Sequence, residues 1–318
     1  MTRILTTAVL LALTGQAFAQ GYPQKPVRLV VPFAAGSATD NSARLLVAGL
    51  TERFKGATFL IDNRVGANGS IAAEFTAKAA PDGYTLMVAT TSTHSQAPFL
   101  MKGITYDPIR DFTPVAGVGG VPFVIVVHPS LPVKTIREFV AVAKARPGQL
   151  TYGTPSGTST ICMESLRHKT GIDLTQVAYK SSPQAITELI AGQITTSCSD
   201  FATAATHIGS GRVRAIAMTT DRRAPELPDV PTVKETIPDF AEIRSWQGVV
   251  GPKGLPADIV ELLSREVLAI TAQPDFKKRL APTGFETLPL NAQQLAAYMV
   301  AELAKWGRLA KQAGLEPQ

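Results

Sequence analysis

Apolar runs of strand length alternate along the chain with stripes of helical period. Val27 to Phe33 is an apolar run broken only by Arg28, the pattern of a strand covered on both faces. The small-residue turn "AAGSATD" follows. Ser37 and Asp40 then make an S-x-x-D start, like a capping box with Asp in place of Glu or Gln, and Ala43, Leu45, Leu46 and Leu50 form an apolar stripe. "TFLIDN" reads as a second strand. "GANGS" leads into a helix over Ile71 to Ala79, stopped by Pro81-Asp82-Gly83, and "YTLMVAT" is a third strand. Strands and helices alternating through short loops predict a doubly wound parallel sheet.

Thr91 to Pro122 reads as a loop-rich passage, after which "FVIVVHP" restarts the rhythm. A helix over Ile136 to Ala145 ends at Pro147-Gly148. The strand "LTYG" precedes the helix "TSTICMESLRHKTG", with Ser159 or Thr160 as its expected cap and Gly171 as its stop. "TQVAY", the helix "PQAITELIAG", "ITTSCSD", a short Ala-rich helix capped by Asp200, and "VRAIAMT" complete the unit. The tail differs: "WQGVVGP" is followed by helices at Asp258 to Thr271, Asp275 to Leu280, and Asn291 to about Gln312, the last opened by a capping box with Gln294. The fold class expected is therefore α/β with two lobes, each a doubly wound sheet flanked by helices. Residues 20–121 form the first lobe, 122–246 the second, and 247–318 return to the first, where the C-terminal helices pack back. The chain crosses between lobes near Gly120 and Trp246. The Gly and Pro residues around both points suggest a hinge on which the lobes close.

Residues 1–19 stand outside this pattern. Arg3, the apolar Ile4 to Leu13 and Ala17-Phe18-Ala19 have the layout of a secretory leader cut after Ala19, too short to span a bilayer. The expected location is the periplasm. The formal charge of +6 comes from scattered Lys and Arg with no basic run, which argues against nucleic acid as a partner. Two cysteines, Cys162 and Cys198, exclude a disulfide-dense scaffold and a Cys-based zinc site. An oxidising compartment would allow them one bridge, since a 2-1-3 strand order sets their strands side by side. The other reading is two small buried thiols.

No catalytic constellation emerges. A serine-hydrolase elbow needs G-x-S-x-G, and Gly157-Thr158-Ser159-Thr160-Ile161 lacks the closing Gly. The four histidines are dispersed, none at metal-ligand spacing, so neither a metal nor a cofactor is expected. What recurs is a helix start after a strand, at Gly36-Ser37, Gly69-Ser70, Gly157 to Thr160 and Ser199-Asp200. Ligands of open parallel sheets bind beyond the carboxyl ends of the strands. The unpaired first N–H groups and the dipole of a helix favour an anion there. Such turns suit a carboxylate, held by neutral donors.

The blocks "VPFAAGSATDNSARLL", "IDNRVGANGSIAAEFTAKAAPDGYTLMVAT", "YDPIRDFTPVAGV" and "LPDVPTV" carry a resemblance that covers the mature chain. It resembles the Bug family, the periplasmic solute receptors of tripartite tricarboxylate transporters. The resemblance implies a monomeric two-lobed binding protein, not an enzyme. Such a protein captures a small mono- or dicarboxylate between its lobes and delivers it to the membrane subunits of a transporter. Carried over by position, it implies ligand contacts from Phe33, Ala34, Ala35, Gly36, Ser37 and Asp40; from Ala67, Asn68, Gly69 and Ser70; and from Thr90, Thr91, Ser92 and His94. In the second lobe it implies Thr154, Ser156, Gly157, Thr158, Ser159, Thr160, Tyr179, Lys180, Ser199 and Asp200. The chain departs from the family where Gly-Gly becomes Gly36-Ser37 and "GAGG" becomes Gly66-Ala67-Asn68-Gly69. Its second-lobe loop is one residue shorter, and Ile161 replaces the usual His. Two other functions use the same residues: a ligand sensor signalling to a membrane partner, and an exported hydrolase built on Ser159 or Ser37.

Overall fold

The computed structural model describes residues 21–317, so the leader expected over residues 1–19 lies outside the described residues. The first apolar run is β1 (Val27–Val31), with every residue but Arg28 buried. It is followed by α1 (Ala38–Arg53), β2 (Phe59–Asn63), α2 (Ser70–Ala77) and β3 (Thr85–Thr90). β1 pairs in parallel with both β2 and β3, the expected doubly wound start. Next come a π-helical turn at Ser92–Gln96 and the short α3 (Ala97–Leu100).

The passage read as loop contains β4 (Phe112–Gly120), the longest strand. Its Pro and three Gly disguised it, yet the glycines answer a crowding problem. A Cβ on Gly120 would lie 2.0 Å from the Ser245 carbonyl oxygen. The two crossing segments therefore touch backbone to backbone, which only glycine permits. The first sheet takes the order β11-β4-β10-β3-β1-β2, with β10 (Gln247–Pro252) antiparallel between β3 and β4 and the two-residue β11 (Glu286–Thr287) at the edge.

The second sheet contains β5 (Phe123–Val127), β6 (Thr151–Thr154), β7 (Thr175–Ala178), β8 (Thr196–Asp200) and β9 (Arg214–Met218), in the order β7-β6-β8-β5-β9. α4 (Ile136–Ala145), α5 (Gly157–Thr170), α6 (Ser182–Ile190) and α7 (Phe201–Gly209) connect them. β6 and β8 are parallel neighbours, and a Cys162–Cys198 disulfide ties the second turn of α5 to β8. Burial of large apolar side chains on both faces of each sheet gives each lobe its own core.

α8 (Ala257–Ala272) and α9 (Pro274–Leu280) lay Leu263, Val267, Ile270 and Phe276 on the first sheet's core. α10 (Ala292–Gln312) departs from the expectation for the tail. Its Leu295 and Met299 pack with Trp246, but Trp306, Leu309 and Ala310 join the core that holds Phe139 and Leu166 of the second lobe. Among the described residues, no helix is long and apolar enough to cross a membrane.

Candidate functional site

The carboxyl ends of β1 and β3 face those of β6 and β8 across a narrow cleft. On one side lie Phe33, Ser37, Ala38, Thr39, Thr90, Thr91 and Ser92. Opposite are Phe123, Ser156, Thr158, Ser182 and Asp200, and the crossing segments supply Val121, Ser245, Trp246 and Gln247. No Lys or Arg is among these residues, and Asp200 is their one carboxylate.

Each wall is organised by a capped helix start. Ser37 caps α1, its Oγ accepting the Asp40 N–H at 3.3 Å, while Asn41 N–H reaches the Ser37 carbonyl. Among the described residues nothing accepts from the N–H groups of Ala38 and Thr39, so both remain available to a ligand. Across the cleft the cap of α5 is Ser156, not Ser159 or Thr160. Its Oγ takes the Ser159 N–H at 3.3 Å and its carbonyl takes the Thr160 N–H, leaving those of Gly157 and Thr158 without acceptors. The two helix dipoles thus bring partial positive charge to one space.

The lobes also touch beside the cleft. The Thr158 hydroxyl donates to Gln96 Oε1 at 3.3 Å, and a Cβ on Gly157 would lie 2.7 Å from that oxygen. Trp246 is pinned in the crossing segment: its N–H donates to Thr91 Oγ1 at 2.7 Å and its ring Nε1–H to Ser95 Oγ at 3.0 Å. Gln247 is held through Ser42 and Thr39.

Of the residues named from sequence, the cleft brings together Phe33, Ser37, Thr90, Thr91, Ser92, Ser156, Thr158 and Asp200. The others lie outside its lining. Ala34, Ala35 and Gly36 form the turn before α1, with Ala35 and Gly36 exposed. Asp40 is tied up inside its lobe by Gly36 N–H, Asn63 Nδ2 and Arg44 Nε. Burial pushes its pKa up, but those hydrogen bonds outweigh burial and hold the carboxyl below its usual range. Ala67, Asn68 and Gly69 make a one-turn 3-10 segment, and the Ser70 hydroxyl lies 3.3 Å from Tyr106 Oη in the core.

His94 is fully buried against Phe112, with ring centroids 4.4 Å apart, and its Nε2 finds no partner among the described residues. Thr154 accepts from Gln176 Nε2. Gly157 abuts Gln96, Ser159 is buried against Ser156 Oγ, and the Thr160 hydroxyl donates to the Ser156 carbonyl. Tyr179 is half-buried beside Gly153, Lys180 is exposed, and Ser199 is buried with its hydroxyl unpartnered among the described residues.

Sequence reading missed Ala38, Thr39, Val121, Phe123, Ser182, Ser245, Trp246 and Gln247. Ala38 and Thr39 carry a findable signal, because the free N–H groups of a capped helix belong to the residues just after the cap. The crossing residues carry none until the two sheets are assembled. Among the described residues, no group of His, Cys, Asp and Glu could hold a metal ion.

Comparison with known proteins places this geometry. The tripartite tricarboxylate transporter family receptor matches residues 42–315. A UPF0065 protein of Bordetella bronchiseptica is 38% identical over 317 residues, covering 99% of this chain and 93% of the relative. An R. palustris protein solved with adipate superimposes with a TM-score of 0.90 at 35% identity, covering 94% of this chain and all of that one (100%). The periplasmic binding protein BugD gives a TM-score of 0.89 at 34% identity, covering 93% and 100%. The two mixed sheets are thus those of a two-lobed periplasmic binding protein. With this match running through both lobes, the chain belongs to the family of tripartite tricarboxylate transporter receptors.

Proposed function

We propose that the protein captures a small carboxylate between its lobes and hands it to the membrane subunits of a tripartite tricarboxylate-type transporter. It acts in the periplasm after its leader is removed at Ala19. One observation carries this reading: two helix starts with unengaged N–H groups converge on a cleft that no Lys or Arg lines. An anion gains the hydrogen bonds and dipoles of both walls only when the lobes are together, so binding and closure are coupled. The adipate found in a relative of the same fold supports the carboxylate class. A hydrolase on Ser37 or Ser159 is disfavoured. Ser37 is engaged as a cap, Ser159 is buried beside Ser156, and neither is bonded to a histidine or a carboxylate side chain.

The test is a thermal-shift screen of the mature protein against mono- and dicarboxylates, adipate and malate included. A true ligand held at a hundred times its Kd stabilises by about 2.7 kcal/mol. A panel in which neutral amides and sugars stabilise and every carboxylate is silent would refute the proposal.

A further inference from the structure

The wall around Asp200 is built differently from the two helix starts that suit an anion. Asp200 caps α7 with one carboxylate oxygen, Oδ1 accepting the Thr203 N–H at 2.9 Å. The Phe201 N–H is also spent, donating to the Pro122 carbonyl at 2.9 Å. Among the described residues only the Ala202 N–H of this first turn is left without an acceptor, so this helix start offers an incoming anion less than those of α1 and α5, while the Asp200 Oδ2 receives no hydrogen bond among the described residues. Asp200 lines the cleft and is only 5% exposed, and no Lys or Arg lines the same space. A second carboxylate set against it would meet like charge with nothing to offset it. A hydroxyl or ammonium there would satisfy an otherwise unpaired anionic acceptor.

We propose that Asp200 sets the class of ligand: a small carboxylate bearing a hydroxyl or ammonium donor, the ammonium form held most tightly. This rests on the carboxylate reading above. The carboxylate takes the N–H groups of Ala38, Thr39 and Thr158, and the donor takes Asp200 Oδ2. A charge-assisted hydrogen bond at a desolvated site is worth about a ten- to hundredfold gain in affinity.

The experiment is calorimetric titration with ligands that differ only at one end: butyrate, γ-hydroxybutyrate, γ-aminobutyrate and succinate, with the corresponding six-carbon set ending in adipate. The expected order in at least one set is amine, then alcohol, then methyl, with the dicarboxylate no better than the methyl compound. The second arm is Asp200→Asn, which keeps a side-chain oxygen to cap α7 and removes the charge. It should cost the amine about ten- to hundredfold and improve the dicarboxylate. Dicarboxylates binding best to the wild type, or an Asp200→Asn protein with an unchanged order, would overturn the assignment and leave the carboxylate reading standing. Silence from every member of both sets would overturn both.

Discussion

His94 shows how one residue can be adjacent to a site in sequence and absent from it in space. It follows Thr91 and Ser92, which line the cleft, but the π-helical turn carries its ring inward against Phe112 and Trp246. Burial pushes its pKa from 6.5 down to about 3. In the unfolded chain the ring takes up a proton near pH ~6.5, and in the folded chain it stays neutral until far lower. Its contribution is therefore complete above pH ~6.5 and is lost progressively as pH falls toward the folded value. The Tm of wild type should fall between pH ~6.5 and pH ~4 more steeply than that of His94→Gln. Equal slopes would show that His94 is not buried as a neutral ring. The caps Ser37 and Asp200 were legible because the chemistry of a strand-end turn is written locally. The inward rotation of His94 was not, since no local pattern marks a π turn.

Elements rather than residues carry the rigidity of the second wall. The Cys162–Cys198 bridge, read from sequence as one of two alternatives, fastens the second turn of α5 to β8 and closes a loop with a sequence separation of 36. A crosslink of that span stabilises by about 3 to 4 kcal/mol in the chain-entropy account. Neither cysteine lines the cleft. Cys162→Ala/Cys198→Ala should accordingly melt well below the wild type, yet bind with a Kd within about threefold of it, the scale of a change under ~1 kcal/mol. A double variant with unchanged Tm, or one that loses binding while fully folded, would contradict this division of labour. The elements themselves were largely written in the chain: alternating apolar runs gave β1, β3 and β5, and Asn291 with Gln294 forms the capping box that opens α10. β4 was hidden because glycine reports close packing as readily as a turn. At Gly120 the neighbour demanding it, Ser245, lies far along the chain.

At the scale of the whole molecule, two sheets are joined by the crossings near Gly120 and Trp246 and bridged again by α10, whose two ends belong to different cores. The α/β class and the two-lobed plan followed from periodicity and from the resemblance together. The path of α10 did not, because an amphipathic stripe says that a helix is covered without saying by which lobe. Closure on a carboxylate is a statement about both lobes and the return crossing at once. Trp246 sits where they meet: it is buried, it lines the cleft, and it hydrogen-bonds Thr91 and Ser95. The second tryptophan, Trp306, is buried on α10 against Glu302 and lines no part of the cleft. In a Trp306→Phe protein, emission therefore reports the cleft alone. Titrating that protein with the tightest carboxylate should shift the Trp246 emission saturably, with the Kd found by calorimetry. Calorimetric binding with no change in Trp246 emission at saturation would place the ligand elsewhere and contradict the account.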